Sequence, residues 1–203
     1  MNNSIPCDVV ILPDPLLANF AVSASHKLQD FDSFFVLKDG KYFPHVSLYM
    51  LQLKVDDLPQ VEEILSSLAR VITPLQLQAY RYDHSMGFID AEYEKFPELI
   101  GLQQDVIKAL NPIRDGMRRK DVERMQEAQG LALDNFQNYG YKYVGDLFRP
   151  HMTLSRLKSD NPKALDVLGD IRDFSGAFMR LGLFEVGENG TCVRKIKTFD
   201  FLN

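Results

Sequence analysis

Arg149-Pro150-His151-Met152-Thr153-Leu154-Ser155-Arg156 decides the reading of this chain, together with its earlier echo, Phe43-Pro44-His45-Val46-Ser47-Leu48. Both read Pro-His-apolar-hydroxyl-Leu, and the two histidines stand 106 positions apart in 203 residues. Each motif lies in a run where apolar and polar residues alternate, the period of a β-strand. Residues two apart share a face of a strand. His45, Ser47 and Tyr49 therefore point one way, with Val46 and Leu48 opposite. Arg149, His151 and Thr153 repeat the arrangement. Arg156 falls on the other face, and reaching the histidine side requires a bulge or the strand end.

Outward from these strands, the pattern is mixed. Cys7 to Pro13 reads as a short buried strand, and Asp14-Pro15 caps a helix running to about Asp30 with Leu16, Leu17, Phe20, Ala21, Ala24 and Leu28 inward. Phe34 to Leu37 is a strand, and Asp39-Gly40 a hairpin turn. A helix opens at Asp56-Asp57-Leu58-Pro59, with Val61, Ile64, Leu65, Leu68 and Val71 at helical spacing. Leu75 to His84 and Gly87 to Tyr93 form a strand pair. From Phe96 to about Tyr139 the chain is helical, with Leu99, Leu102, Val106, Ile107 and Leu110 as one stripe. Gly140 suits a helix C-cap, and Tyr141 to Val144 a short strand. Asn161-Pro162 caps a helix reaching Ile171, and a ribbon from Gly176 to Val186 and Thr191 to Phe201 closes the chain.

That order predicts an α+β fold: bilobal, pseudo-duplicated antiparallel sheets, helices outside, and a central cleft holding both histidines. The whole chain, 1–203, reads as one bilobal domain, with a helical insertion at about 112–140. Within it, Arg114 to Asp121 is charge-rich; the reading preferred here is a solvated helix face with intrahelical ion pairs, the alternative a flap that attracts phosphate. His26 is expected on a solvated helix face and His84 at an exposed turn.

Composition bounds the function. Net charge is −5, and 45% of residues are apolar, so no broad basic surface exists to neutralise a nucleic-acid duplex. No apolar run nears the ~20 residues of a membrane span, and the start lacks a signal-peptide pattern. The expectation is a soluble, cytoplasmic protein that binds neither duplex nor membrane. Cys7 and Cys192 read as buried thiols, without neighbouring ligand residues for a metal site.

Two imidazoles can divide proton transfer, one accepting and one donating near neutral pH. Opening a cyclic phosphodiester needs that division, plus donors for the phosphate oxygens. His45 and His151 are the catalytic candidates, and Ser47 and Thr153 the phosphate donors. Arg149, Arg156 and Tyr49 are further candidates at the phosphate. Two alternatives remain open: a module that binds a nucleotide or RNA end without turnover, and a metallohydrolase, for which two His-x-hydroxyl motifs supply few ligands.

His45-Val46-Ser47 and His151-Met152-Thr153, with Thr153-Leu154-Ser155-Arg156 continuing the second, resemble the paired motifs of the two-histidine (2H) phosphoesterase superfamily. That group includes the RNA 2′,5′-ligase-like proteins and cyclic phosphodiesterases. The resemblance implies a bilobal α+β fold, motifs facing one another across a cleft, and cofactor-free, metal-independent hydrolysis. The substrate class it implies is 2′,3′-cyclic or related cyclic phosphates, RNA-terminal cyclic phosphates, or 2′,5′ linkages.

Overall fold

Local signals set most element boundaries in the computed structural model, which describes residues 3–202. In chain order the elements are β1 (Ser4–Pro13), α1 (Pro15–Lys27), β2 (Ser33–Val36), β3 (Val46–Lys54), α2 (Leu58–Ala69), β4 (Leu75–Leu77), β5 (Ala79–Ser85) and β6 (Phe88–Tyr93). There follow α3 (Pro97–Leu110), α4 (Arg119–Met125), α5 (Leu131–Tyr139), β7 (His151–Leu157), β8 (Gly176–Val186) and β9 (Cys192–Asp200). Asp14 caps α1 by accepting the Leu17 amide at 2.8 Å, with Pro15 in the first turn. Gly140 ends α5 at φ +67°, where a side chain would run into Arg114.

The strands form two open antiparallel sheets. One runs β3-β1-β8, with β4 and β9 pairing successive stretches of β8. The other is β2-β7-β6-β5. The first motif therefore stands on an edge strand, β3, and the second on an inner strand, β7. α1 packs toward β7 and β1, while α3 lies on β3 and α2 on β8 and β9. The core between them gathers Leu48, Leu51, Met152, Leu154, Phe174 and Phe178 into one buried cluster.

The α+β class and the two antiparallel sheets stand as expected. The chain crosses between the sheets: β2, early in the chain, joins the sheet of His151, and β8 and β9, at its end, join that of His45. Leu75 to His84 is not one strand. It breaks at Gln78, sending β4 to one sheet and β5 to the other. Tyr141 to Val144 makes no strand, because side-chain amides occupy its carbonyls: Asn135 donates to Lys142 and Val144, each at 2.9 Å, and Gln103 to Tyr143 at 2.8 Å. The helix expected after Asn161 is a pair of 3₁₀ turns, Pro162–Val167 and Ile171–Phe174, parted by Gly169 at φ +86°. Leu16 and Val71 are exposed, Leu16 on the outer face of α1 and Val71 beyond the end of α2.

Candidate active site

Both motifs build the same local device. His45, at the mouth of β3, places Nδ1 2.6 Å from the Phe43 carbonyl. His151, opening β7, places Nδ1 2.7 Å from the Arg149 carbonyl. A carbonyl only accepts, so Nδ1 carries hydrogen in each ring and Nε2 is left for the chemistry. The hydroxyl two residues on donates to a carboxylate of the neighbouring strand. Ser47 reaches Asp8 Oδ2 at 2.6 Å, and Thr153 reaches Asp90 Oδ1 at 2.7 Å. Those carboxylates also approach the rings, Asp8 at 3.7 Å from His45 Nε2 and Asp90 at 4.0 Å from His151 Nε2.

The motif leucine does something the alternation rule does not foresee. In both strands it is an extra, unpaired residue. Val10 pairs Ser47 and Val9 pairs Tyr49, skipping Leu48. Asp90 pairs Thr153 and Ile89 pairs Ser155, skipping Leu154. Such a bulge flips the parity of everything after it. Arg156 is thereby turned onto the His151 face, as it needs a bulge to be. By the same flip Met50, not Tyr49, joins the His45 face. Tyr49 is fully buried away from the cavity, its hydroxyl 2.7 Å from the Tyr139 carbonyl and 2.9 Å from Asn111. It does not border the site.

His45, Ser47, His151, Thr153 and Arg156 line one cavity of about 880 Å³, near the upper end of the ~300–1,000 Å³ usual for small-ligand sites. Tyr143 stands edge-on to the His151 ring, centroids 6.3 Å apart. Arg149 also lines the cavity, yet its guanidinium is already engaged, at 2.5 Å by Glu92, 2.6 Å by Asp90 and 3.1 Å by Asp83. Arg156 is less committed. It donates to Asn189 Oδ1 at 3.0 Å, lies 4.6 Å from the Phe88 ring centre and 5.4 Å from that of Phe34, and keeps a buried Nε without a partner.

The electrostatics of the two devices differ. Burial pushes the Asp8 carboxyl up to about 7, against the opposing pull of the Ser47 hydrogen bond and the Arg118 charge. Burial also lowers His45 to about 4, outweighing its carbonyl partner, with the charge of His151 adding to the fall. Near His151 the carboxylates are held by cations. Burial alone would raise Glu92, but hydrogen bonds from Arg81, Tyr80 and Arg149 pull it down to about 2.

Several residues of this site escape the sequence reading. Asp8 and Asp90 both sit in apolar strands, and a carboxylate inside such a run was the available signal. The charged stretch makes the expected local ion pairs, Arg118 with Asp121 at 2.5 Å and Arg119 with Glu123 at 3.4 Å. Yet Arg118 and Asp121 are buried rather than solvated, and line the cavity with Lys120 and Arg124. His84 is not an exposed turn residue: it lies in β5, its Nε2 buried without a hydrogen bond and 3.6 Å from Asp160. His26 is exposed, as expected. Cys7 and Cys192 are buried free thiols, but Cys192 does have ligand-capable neighbours. Asp8, His45 and Cys192 bring donor atoms within 4.8 Å of one another, close enough to share a cation.

A bilobal α+β sheet protein with this layout has known structural counterparts. E. coli LigT complexed with phosphate matches with a TM-score of 0.57 at 10% identity, over 99% of both chains. TT0787 of Thermus thermophilus gives 0.57 at 18% identity, over 97% of this chain and 98% of that one. E. coli LigT complexed with 3′-AMP gives 0.57 at 14%, over 98% and 99%. At such identities the likeness establishes the fold, the one the 2H resemblance implies. By sequence the chain belongs to the DUF1045 family, described as a protein of unknown function, whose model matches residues 52–180. That span contains the second motif and not the first. No curated protein matches the sequence. Among the described residues no helix is long and apolar enough to cross a membrane.

Proposed function

We propose that this protein is a phosphoesterase that hydrolyses a phosphodiester: the cyclic one of a 2′,3′-cyclic nucleotide or an RNA-terminal cyclic phosphate, or the acyclic one of a 2′,5′ linkage. The observation that carries the reading is the pair of imidazoles lining one cavity, each with Nδ1 tied to a carbonyl and Nε2 free. His45, kept neutral by burial, takes a proton from water through Nε2. The water oxygen attacks phosphorus, the bond from phosphorus to one ribose oxygen breaks, and that oxygen receives the Nε2 proton of His151. Products are a phosphomonoester and a free hydroxyl.

Arg156 supplies the guanidinium for the phosphate oxygens. Ser47 serves as a donor when a protonated Asp8 hydrogen-bonds it in return. Thr153 stays committed to Asp90, which Arg149 fixes, and so aligns the His151 side. Arg149 acts through these groups rather than at the phosphate.

The test is turnover of nucleoside 2′,3′-cyclic phosphates and of oligoribonucleotides ending in one, with and without a chelator. His45→Ala and His151→Ala should each cut the rate by roughly 10²–10⁴ while leaving the fold intact by circular dichroism. Full activity in either variant refutes the mechanism. Ligand binding without turnover favours a binding module. The Asp8-His45-Cys192 cluster motivates a metal-assisted reading, and loss of activity in chelator, restored by zinc, would favour it.

A further inference from the structure

The acid-base pair occupies one part of the cavity, and another wall has no part in that chemistry. This wall carries Arg118, Lys120 and Arg124 from the 112–140 stretch, with Lys142 just beyond it. Counting the whole lining, six cationic side chains stand against four carboxylates, an excess of positive charge inside a chain of net charge −5. The carboxylates are unevenly used. Asp121 alone serves two guanidiniums, Arg118 at 2.5 Å and Arg124 at 3.4 Å. Lys120 donates only to the Glu188 carbonyl. Lys142 lies 5.3 Å from the Tyr143 ring centre, and no carboxylate among the described residues pairs with Lys120 or Lys142. Lys120 is exposed and Lys142 half-buried where they line the cavity. Cations left without a carboxylate beside a hollow raise the local concentration of anions there, and a point-charge ammonium suits a phosphate.

Resting on the phosphoesterase reading, we propose that this wall holds a second phosphate, so that the preferred substrate is a cyclic phosphodiester carrying a further phosphate at its other end. The cyclic phosphate lies between His45 and His151 with Arg156. The second lies against Lys120 and Lys142, backed by the Arg118-Asp121-Arg124 network. A cavity of about 880 Å³ has room for both groups on one nucleoside. The same chemistry is presented by a 5′-phosphorylated mononucleotide and by the next phosphate of an RNA chain.

Three probes separate these cases: adenosine 2′,3′-cyclic phosphate, its 5′-phosphorylated form, and a diadenosine ending in a 2′,3′-cyclic phosphate. The expected result is a kcat/KM at least about tenfold higher for the 5′-phosphorylated nucleotide, the scale of one charge-assisted contact. Lys120→Ala combined with Lys142→Ala should collapse that ratio toward one, and added salt should shrink it. An equal gain for the diadenosine assigns the wall to the RNA backbone. A ratio near one that the double variant does not change overturns the proposal, while the phosphoesterase reading survives on turnover of the unphosphorylated probe. If nothing is turned over, that reading fails, and binding still decides this one. Adenosine 3′,5′-bisphosphate should bind about tenfold more tightly than adenosine 3′-phosphate, and equal affinities refute a second phosphate site.

Discussion

The two half-sites share a motif, a bulge, a carbonyl-anchored imidazole and a hydroxyl bound to a carboxylate, yet they differ at two equivalent positions. Two residues before the histidine stands Phe43 in one and Arg149 in the other. Two after the bulged leucine stands Met50 in one and Arg156 in the other. Where arginines stand, the carboxylates are ion-paired. Where apolar residues stand, Phe43 packs on Phe184 with ring centres 5.0 Å apart, and Asp8 is left buried with one oxygen unpartnered. The lesson is that one backbone device yields two protonation regimes, set by neighbours two residues away. The first half stores a neutral imidazole beside a carboxyl that holds its proton to about pH 7; the second keeps Glu92 charged.

Taking the guanidinium out of the second half breaks this contrast most severely. Arg149→Met leaves Asp90 and Glu92 buried without their shared guanidinium, and should cost about 3–5 kcal/mol in denaturant unfolding at neutral pH. A loss below about 1 kcal/mol would mean that the guanidinium is not what holds those carboxylates.

Asp8→Asn probes the other half. The folded state keeps the Asp8 proton to about pH 7, whereas an aspartate of the unfolded chain titrates at 3.8. Its contribution to stability is therefore complete below about pH 4 and is lost as pH rises through about 7. A gap of that size is of the order of 4 kcal/mol. Thermal melts of wild type and Asp8→Asn across pH 4 to 8 should diverge progressively in favour of the variant, and parallel curves would show that Asp8 titrates normally.

The smallest effect is kinetic. Because His45 is lowered to about 4, the acid limb of kcat/KM should fall near pH 4 rather than near 6.5. An acid limb near 6.5 would assign the base role to an unburied imidazole instead.

How much of this was legible beforehand can be read from particular residues. That His45, Ser47, His151 and Thr153 share a cavity was legible because side-chain alternation and a repeated flank are local properties. α3 was legible from its stripe, since Leu99, Leu102, Val106, Ile107 and Leu110 all turn inward. Tyr49 was misread because a bulge at Leu48 changes parity without any mark in the residue types. Arg118 and Asp121 were misread because a run of charges looks the same whether water or a cavity faces it.

The sequence by itself determined the motif pair, most of the helices and strands, and the α+β class, because periodicity, caps and turn residues act over a few neighbours. Only the tertiary structure decided which carboxylate meets which hydroxyl, that Arg149 is ion-paired while Arg156 keeps an unpartnered nitrogen, and that the charged helical stretch walls the cavity. Those outcomes depend on strand register and on contacts between residues far apart in the chain, where burial converts an ordinary side chain into a perturbed one.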